Sequence, residues 1–272
     1  MQTITDEYGY YHTPARQVFF LARWLPSLFY YPQFVYQILK YSRLAKQGKF
    51  GEEEWQRSSQ VSTLALETVG VELEITGVDN FASMTGPCVF VANHMSTLET
   101  IALPGLIQPY KDCIFILKRG MVEYPVFKHI MLARNPIVVD RENPREDLKV
   151  VLEEGSNAIA RGRSIIVFPQ TTRTLQFDPE QFNTIGVKLA KRANVPVVPV
   201  AVQTDAWGIG SIIKELARID PSKKVHIAFG EPIPINGRGA DEHKQVIEFI
   251  QQKLQSWHYP LAGQAAPTNM SK

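Results

Sequence analysis

The chain has 272 residues, with 29 Lys and Arg against 27 Asp and Glu, and a formal net charge of +2. A hydrophobic content of 44% with 21% charged residues excludes a disordered or collagen-like chain. Two cysteines exclude a disulfide scaffold or a multi-cysteine zinc site and suit reduced cytosolic thiols. The first 15 residues hold Asp6, Glu7 and several tyrosines with no apolar core after a basic start, so no secretory signal is expected. The near-neutral charge is unevenly spread. Tyr8 to Gly51 has no acidic residue and six basic ones (Arg16, Arg23, Lys40, Arg43, Lys46 and Lys49), leaving 23 basic against 27 acidic residues elsewhere. The same stretch holds 13 of the 28 aromatics, a pattern that points to an anionic surface partner.

The longest uncharged run there, Trp24 to Leu39, has 16 residues and contains Pro26 and Pro32. A spanning helix needs about 20 apolar residues, and Pro inside a helix kinks or breaks it. Two short helical pieces lying in a membrane interface are expected, with aromatics at the headgroup boundary and basic residues toward lipid phosphates. The alternative is a helical hairpin packed on the main domain with its aromatics as core. Nucleic acid is not an expected partner, because the aromatics sit in a Leu/Ile/Val-rich, Pro-broken stretch and not among Gly and Lys on strands.

Acidic residues return in a linker at 48–54. A helix over 54–69 and a strand at Val71–Ile75 follow. Then short apolar strands alternate with helices: strands at Cys88–Ala92, Cys113–Leu117, Pro136–Asp140, Ser164–Phe168, Val197–Val202 and Val225–Phe229, with helices over 97–108 (interrupted by Pro104), 124–133, 144–161, 184–193 and 240–257. Continuous apolar strands mean burial on both faces, hence an α/β fold: a mostly parallel central sheet flanked by helices, with the N-terminal helical membrane-interface segment appended. The expected division is residues 1–50 as that segment, 51–260 as the main domain and 261–272 as a flexible tail.

Ligands of open α/β sheets bind at the carboxyl ends of the strands. After Cys88–Ala92 come Asn93, His94 and Glu99; after Cys113–Leu117 come Lys118 and Arg119; after Ile137–Val139 come Asp140 and Arg141; after Ser164–Phe168 comes Pro169-Gln170-Thr171-Thr172-Arg173-Thr174. One histidine, a carboxylate close after it and several cations at one sheet edge suit proton abstraction beside a phosphate-bearing substrate. On a regular helix His94 and Glu99 would stand roughly 140° apart, so they meet only if His94 lies in the loop and Glu99 in the first helical turn. A carboxylate on one imidazole nitrogen would leave the other as a base. Ser96-x-x-Glu99 is equally a capping box, and the residues alone leave both roles open. Cys88 lies six strand residues from His94, about 20 Å at the strand rise, too far for a nucleophilic pair. The chain has no Gly-x-Ser-x-Gly elbow, Walker-type loop or His-Glu-x-x-His helix.

Asn93-His94-x4-Glu99 resembles the His-x4-Asp/Glu signature of the glycerolipid acyltransferases, the lysophosphatidate acyltransferase family. Three further stretches follow in the family's order. Lys118 through Pro125 to Asp140-Arg141 resembles the second block, Phe168-Pro-Gln-Thr-Thr-Arg-Thr174 resembles Phe-Pro-Glu-Gly-Thr-Arg-Ser, and Val195-Pro-Val-Val-Pro-Val200 resembles the fourth. The likeness covers roughly residues 71–235. It implies an O-acyltransferase in which His94 takes the proton from an acceptor hydroxyl, Glu99 orients it, and the alkoxide attacks an acyl thioester directly. Arg173, Lys118 and Arg141 would hold the acceptor phosphate, with Gln170 and Thr172 also at the substrate. The donor would be acyl-CoA or acyl-carrier protein and the acceptor a lysophospholipid. The place would be the cytoplasmic face of an anionic membrane, peripheral or monotopic, and no metal or redox cofactor is implied. Gln170-Thr171 departs from the family's Glu-Gly. Gln170 gains an N–H donor at the headgroup, and a β-branched Thr171 would be strained at positive φ, so this loop is expected to take a different path. Lys128 stands near a common Gly. A thioesterase or lipid hydrolase using His94 on water, or a non-catalytic lipid-binding relative, is the competing expectation.

Overall fold

The computed structural model describes residues 3–123, 127–210 and 216–261. Eight strands form one sheet: β1 (Tyr11–His12), β2 (Leu73–Thr76), β3 (Val89–Ala92), β4 (Cys113–Lys118), β5 (Ile137–Val139), β6 (Ser164–Val167), β7 (Val197–Gln203) and β8 (Val225–Phe229), in the order β1-β2-β8-β7-β3-β6-β4-β5. From β7 to β5 all neighbours are parallel, as the apolar runs imply. β8 is antiparallel to β7, β2 parallel to β8, and β1 antiparallel to β2. Every residue of the central strands β3 and β6 is buried, which is why their sequences do not alternate.

The helices are α1 (Phe20–Trp24), α2 (Pro26–Lys46), α3 (Glu52–Leu64), α4 (Asp79–Ala82), α5 (Leu98–Ile107), α6 (Arg119–Glu123), α7 (Lys128–Ala133), α8 (Pro144–Ala160), α9 (Ile185–Ala193) and α10 (Ala240–Ser256). Tyr30, Phe34, Trp55, Leu66, Leu98 and Leu103 build a core on one face of the sheet. Val151, Leu189, Ala190, Val246 and Ile250 build the other from α8, α9 and α10. The helix expected over 54–69 begins at Glu52 and tightens to a 3-10 turn at Ala65–Val69. In the stretch expected as helix over 124–133, α7 begins at Lys128; residues 124–126, Pro125 among them, lie outside the described residues, as does the tail beyond Leu261.

The N-terminal stretch departs from the expected pair of short helices. Pro26 does separate α1 from α2, where it occupies the first turn. Pro32 does not end α2, which runs 21 residues. Its missing N–H strands only the carbonyl of Leu28, which is 66% exposed and open to water, and the Gln33 side chain donates to the next carbonyl, Phe29, at 2.8 Å. Tyr30, Phe34, Ile38 and Tyr41 of α2 face inward and are buried. Trp207, fully buried, meets Tyr30, Tyr31 and Phe34 edge-on, with ring centroids 5.2, 5.8 and 5.0 Å away. The opposite face leaves Phe19, Phe20, Trp24, Leu25, Leu28, Val35, Tyr36 and Leu39 exposed. Buried Glu67 ties down the preceding segment, accepting from Tyr11 and Thr13 at 2.7 Å and from Arg16 at 2.5 Å. One of the six basic residues is therefore a structural partner.

α5 contains Pro104 yet stays continuous because α3 mends it. The Ser59 hydroxyl enters the helix, accepts from the Gly105 N–H at 2.6 Å and donates to the Ile101 carbonyl. A Cβ at Gly105 would lie 2.6 Å from that hydroxyl oxygen, so glycine is what lets α3 approach.

Trp207→Ala removes the wedge beneath α2. It is expected to cost about 3–5 kcal/mol in urea unfolding and to raise amide exchange in α2 before that of β3 and β6.

Candidate active site

β3 ends on Ala92, and Asn93 fixes its exit. The Asn93 side chain accepts from the Val202 N–H at 2.8 Å and donates to the Val202 carbonyl at 2.9 Å, clamping the turn to β7. His94 follows in the loop, and Glu99 lies in the first turn of α5. This is the placement that lets residues five apart meet, with His94 Nδ1 2.8 Å from Glu99 Oε1.

Glu99 is fully buried. Oε1 also accepts the backbone N–H of Met95 at 2.6 Å and of Ser96 at 2.8 Å. Oε2 accepts the hydroxyls of Ser96 at 2.9 Å and Thr204 at 2.6 Å. Burial works to raise the carboxyl pKa, but the bond and charge of His94, the Thr204 hydroxyl and the backbone donors prevail and hold it below 4.5. The positive N-terminal end of α5 adds to this. Glu99 thus takes the Ser96 N–H, one half of the expected capping box, and holds the His94 ring with the same oxygen, while the N-cap of α5 is Thr97 and the Ser96 hydroxyl accepts from the Leu98 N–H. An ionised Glu99 accepts the Nδ1 proton, assigning that tautomer and leaving Nε2 with its lone pair. Nε2 has no hydrogen-bond partner among the described residues, and the imidazole is 15% exposed. Phe168 stacks on the ring, with centroids 4.4 Å apart and planes 22° from parallel, and Phe115 continues the stack. Tautomer, tilt and depth of the ring are thus all set.

Gln170 is buried under the same turn. Its carbonyl oxygen accepts the His94 N–H at 2.6 Å and its amide donates to the Thr174 hydroxyl at 2.6 Å, so both polar ends are engaged inside the protein and do not face an open headgroup site. Thr171 is absent from the residues with positive φ, so the loop takes the backbone path a β-branched residue allows. Arg173 donates to the Thr97 hydroxyl at 2.6 Å, beside the start of α5. Arg141 adopts φ 62° and donates to the Thr171 carbonyl, linking the loops after β5 and β6 over the end of β4. Its neighbour Asp140 pairs with Arg119, and Arg141 has no ion pair among the described residues. Lys118 ends β4 and is exposed, as is Thr172. Hydrogen bonds join His94, Glu99 and Gln170 directly, while Arg173 and Arg141 hold the neighbouring loops through Thr97 and the Thr171 carbonyl.

Burial pushes the Cys88 thiol up to about 12 and raises that of Cys113 as well, so neither supplies a thiolate near neutral pH. Two members of the site were not singled out from sequence. Thr204 stands just beyond β7, where the strand-end rule applied to the other strands would have found it. Phe168 opens the third motif, and its role depends on the stacking geometry.

Residues 72–203 match the Acyltransferase family. The 1-acyl-sn-glycerol-3-phosphate acyltransferase of Pseudomonas aeruginosa is 32% identical over 48% of this chain and 49% of its own length. A chloroplastic enzyme of the same description from Brassica napus is 31% identical over 52% of this chain and 38% of its own. A probable one from Mycoplasma pneumoniae is 29% identical over 64% and 66%. The matched stretch thus spans about half or less of the first two relatives. The crystal structure of the 1-acyl-sn-glycerophosphate (LPA) acyltransferase PlsC from Thermotoga maritima superposes with a TM-score of 0.65 at 20% identity, covering 89% of this chain and 98% of that one, which shows the shared fold. Residues 72–203, which hold His94 and Glu99 in a His-x4-Glu spacing, are thus similar to the Acyltransferase family and to the 1-acyl-sn-glycerol-3-phosphate acyltransferases within it.

Proposed function

We propose that the chain is an O-acyltransferase that moves a fatty acyl group from acyl-CoA or acyl-carrier protein to the hydroxyl of a lysophospholipid such as 1-acylglycerol-3-phosphate. The observation that carries this reading is the His94 imidazole, bonded through Nδ1 to buried, ionised Glu99 while Nε2 has no partner among the described residues. Nε2 removes the acceptor's hydroxyl proton as its oxygen bonds to the thioester carbonyl carbon. The tetrahedral adduct collapses, the C–S bond breaks, and the proton passes from the imidazolium to the departing thiolate. Glu99 balances the charge on the ring during this cycle. The exchange of thioester for ester runs downhill, so positioning and a base suffice. Arg173 and Arg141, tied to the loops that frame His94, and Lys118 on the rim are the cations for the acceptor phosphate.

The same reading places the chain on the cytoplasmic face of an anionic membrane, lying on it. No helix among the described residues is long and apolar enough to cross one. The exposed face of α1 and α2, with Arg23, Lys40 and Arg43 beside its aromatics, suits an interface.

His94→Ala is expected to lower diacyl product formation from a lyso-acceptor and thioester by at least about 10²-fold. Wild-type protein that releases free fatty acid without diacyl product would instead identify a hydrolase, and no product above the His94→Ala control would mark a non-catalytic relative. Leu28→Glu with Leu39→Glu should weaken binding to anionic vesicles and leave the melting temperature unchanged; unaltered, salt-insensitive binding would remove the membrane reading.

Glu99 also gives a signed pH effect. Its folded pKa is lowered from 4.5, so the stability it contributes is fully present above about pH 4.5 and is lost as pH falls through the lower folded value. Glu99→Gln should cost ~2 kcal/mol in urea unfolding at pH 7, with the gap to wild type closing below pH 4.5. A gap constant down to pH 3 would contradict the ionised state.

A further inference from the structure

Away from His94, a cleft of about 510 Å³ opens between α1 and the loop joining β7 to β8, lined by Arg23, Trp24, Pro26, Arg218, Asp220, Pro221 and Ser222. We propose that this cleft holds the headgroup of a phosphoethanolamine lipid in the bilayer, its phosphate between Arg23 and Arg218 and its ammonium at Asp220. The proposal rests on the membrane reading above and adds a lipid site distinct from the acyl-transfer site.

Charge complementarity selects this occupant. Neither Arg23 nor Arg218 has an ion-pair partner among the described residues, and both are exposed. Asp220 Oδ1 is occupied by the Ser222 N–H at 3.1 Å and the Ser222 hydroxyl at 2.6 Å, while Oδ2 has no hydrogen-bond partner among the described residues. The Ser222 bonds, against partial burial and helped by the nearby charges of Lys223 and Arg218, lower its pKa, so it is anionic at neutral pH. The nearby Lys223 is engaged by Asp205 at 2.7 Å. Two free guanidinium groups and one free carboxylate oxygen in a single cleft match a zwitterion. A primary ammonium can donate to Oδ2, whereas a quaternary one cannot, and a headgroup carrying only negative charge would meet the carboxylate.

The walls are held in place. Ser27 Oγ accepts the Ile219 N–H at 2.9 Å and the Tyr31 hydroxyl donates to the Ala217 carbonyl, so both residues flanking Arg218 are fastened to α2. Gly70 packs under both walls, since a Cβ built on it would be 3.6 Å from Arg23 Cγ and 3.6 Å from Pro221 Cβ. The cleft also faces the right way. Its loop leaves the end of β7, on the sheet edge where His94 follows β3. Trp24 on its rim is 82% exposed and continues the apolar face of α1, and Leu216 is exposed on the loop side. A headgroup reaching the cleft would anchor the sheet edge that bears His94 toward the bilayer.

The test measures binding of the full-length chain to vesicles of phosphatidylcholine alone, with added phosphatidylethanolamine, and with added phosphatidylglycerol. Soluble glycerophosphoethanolamine serves as competitor. Wild type should bind the ethanolamine vesicles roughly 10-fold more tightly than phosphatidylcholine alone, the gain expected of one or two charge-assisted contacts. Arg218→Ala should abolish that preference. Asp220→Asn should abolish it too while strengthening binding to the glycerol lipid, and neither should change binding to phosphatidylcholine alone. The soluble headgroup should remove the preference and leave basal binding; failure to compete, with the preference retained, would assign it to bilayer properties and overturn the site. Equal binding to all three vesicles, or a preference that survives both substitutions, would overturn the headgroup site and leave the membrane reading standing. Absence of binding to every vesicle would overturn both.

Discussion

A carboxylate sealed from water must be fully hydrogen-bonded or its burial costs several kcal/mol. Glu99 meets that demand with donors from two places: the loop of His94, Met95 and Ser96 that leads into α5, and Thr204 at the exit of β7. Each donor is then fixed in turn. The Met95 and Ser96 amides define the loop, Thr204 holds the end of β7 beside it, and the imidazole is presented in one tautomer. Asn93 repeats the link between β3 and β7 one residue earlier. Removing the charge would release the loop and the β7 exit as well as the His94 ring, so holding the loop and orienting the ring cannot be separated at this position.

The sheet was legible in the sequence because burial on both faces leaves strands with no polar residue, and the strand-end rule followed from it. His94, Arg141 and Arg173 could be found that way. Gln170 could be located but not read. Its acceptor duty is toward the His94 backbone amide, 76 residues away, and no spacing encodes that bond. Thr204 carried a signal, a polar residue just past an apolar strand, and its meaning came only with the neighbouring carboxylate. Pro32 misleads because a proline breaks a helix only where the stranded carbonyl lacks another partner, and solvent at Leu28 supplies one.

For the N-terminal stretch, a packed hairpin and an exposed amphipathic surface looked like alternatives. A helix with aromatics around its circumference need not choose. Tyr30, Phe34, Ile38 and Tyr41 repeat at three- and four-residue spacing and enter the core, while Leu28, Val35, Tyr36 and Leu39 fall between them and face outward. Composition registers the total apolar content and is blind to this division. The internal face fixes the orientation of the external one relative to the His94 edge, through Trp207 and the bonds of Ser27 and Tyr31 to the following loop.

The Gln170 departure also has a physical account. Its amide donates to Thr174 Oγ1, and that hydroxyl donates onward to the Gln176 carbonyl at 2.9 Å, giving a chain of bonds with one direction. A glutamate in the same place could still accept the His94 N–H. It could not donate to Thr174, whose hydroxyl would have to turn toward the new carboxylate and abandon Gln176. It would also add a second negative charge to a buried turn that already contains Glu99, where like charges compete for ionisation. Glutamine therefore fits this particular loop, with Thr174 as its acceptor and Thr171 free of positive φ. Glutamine at 170 keeps the bond to the His94 N–H that a glutamate would also make, and differs in donating to Thr174 where a glutamate would accept.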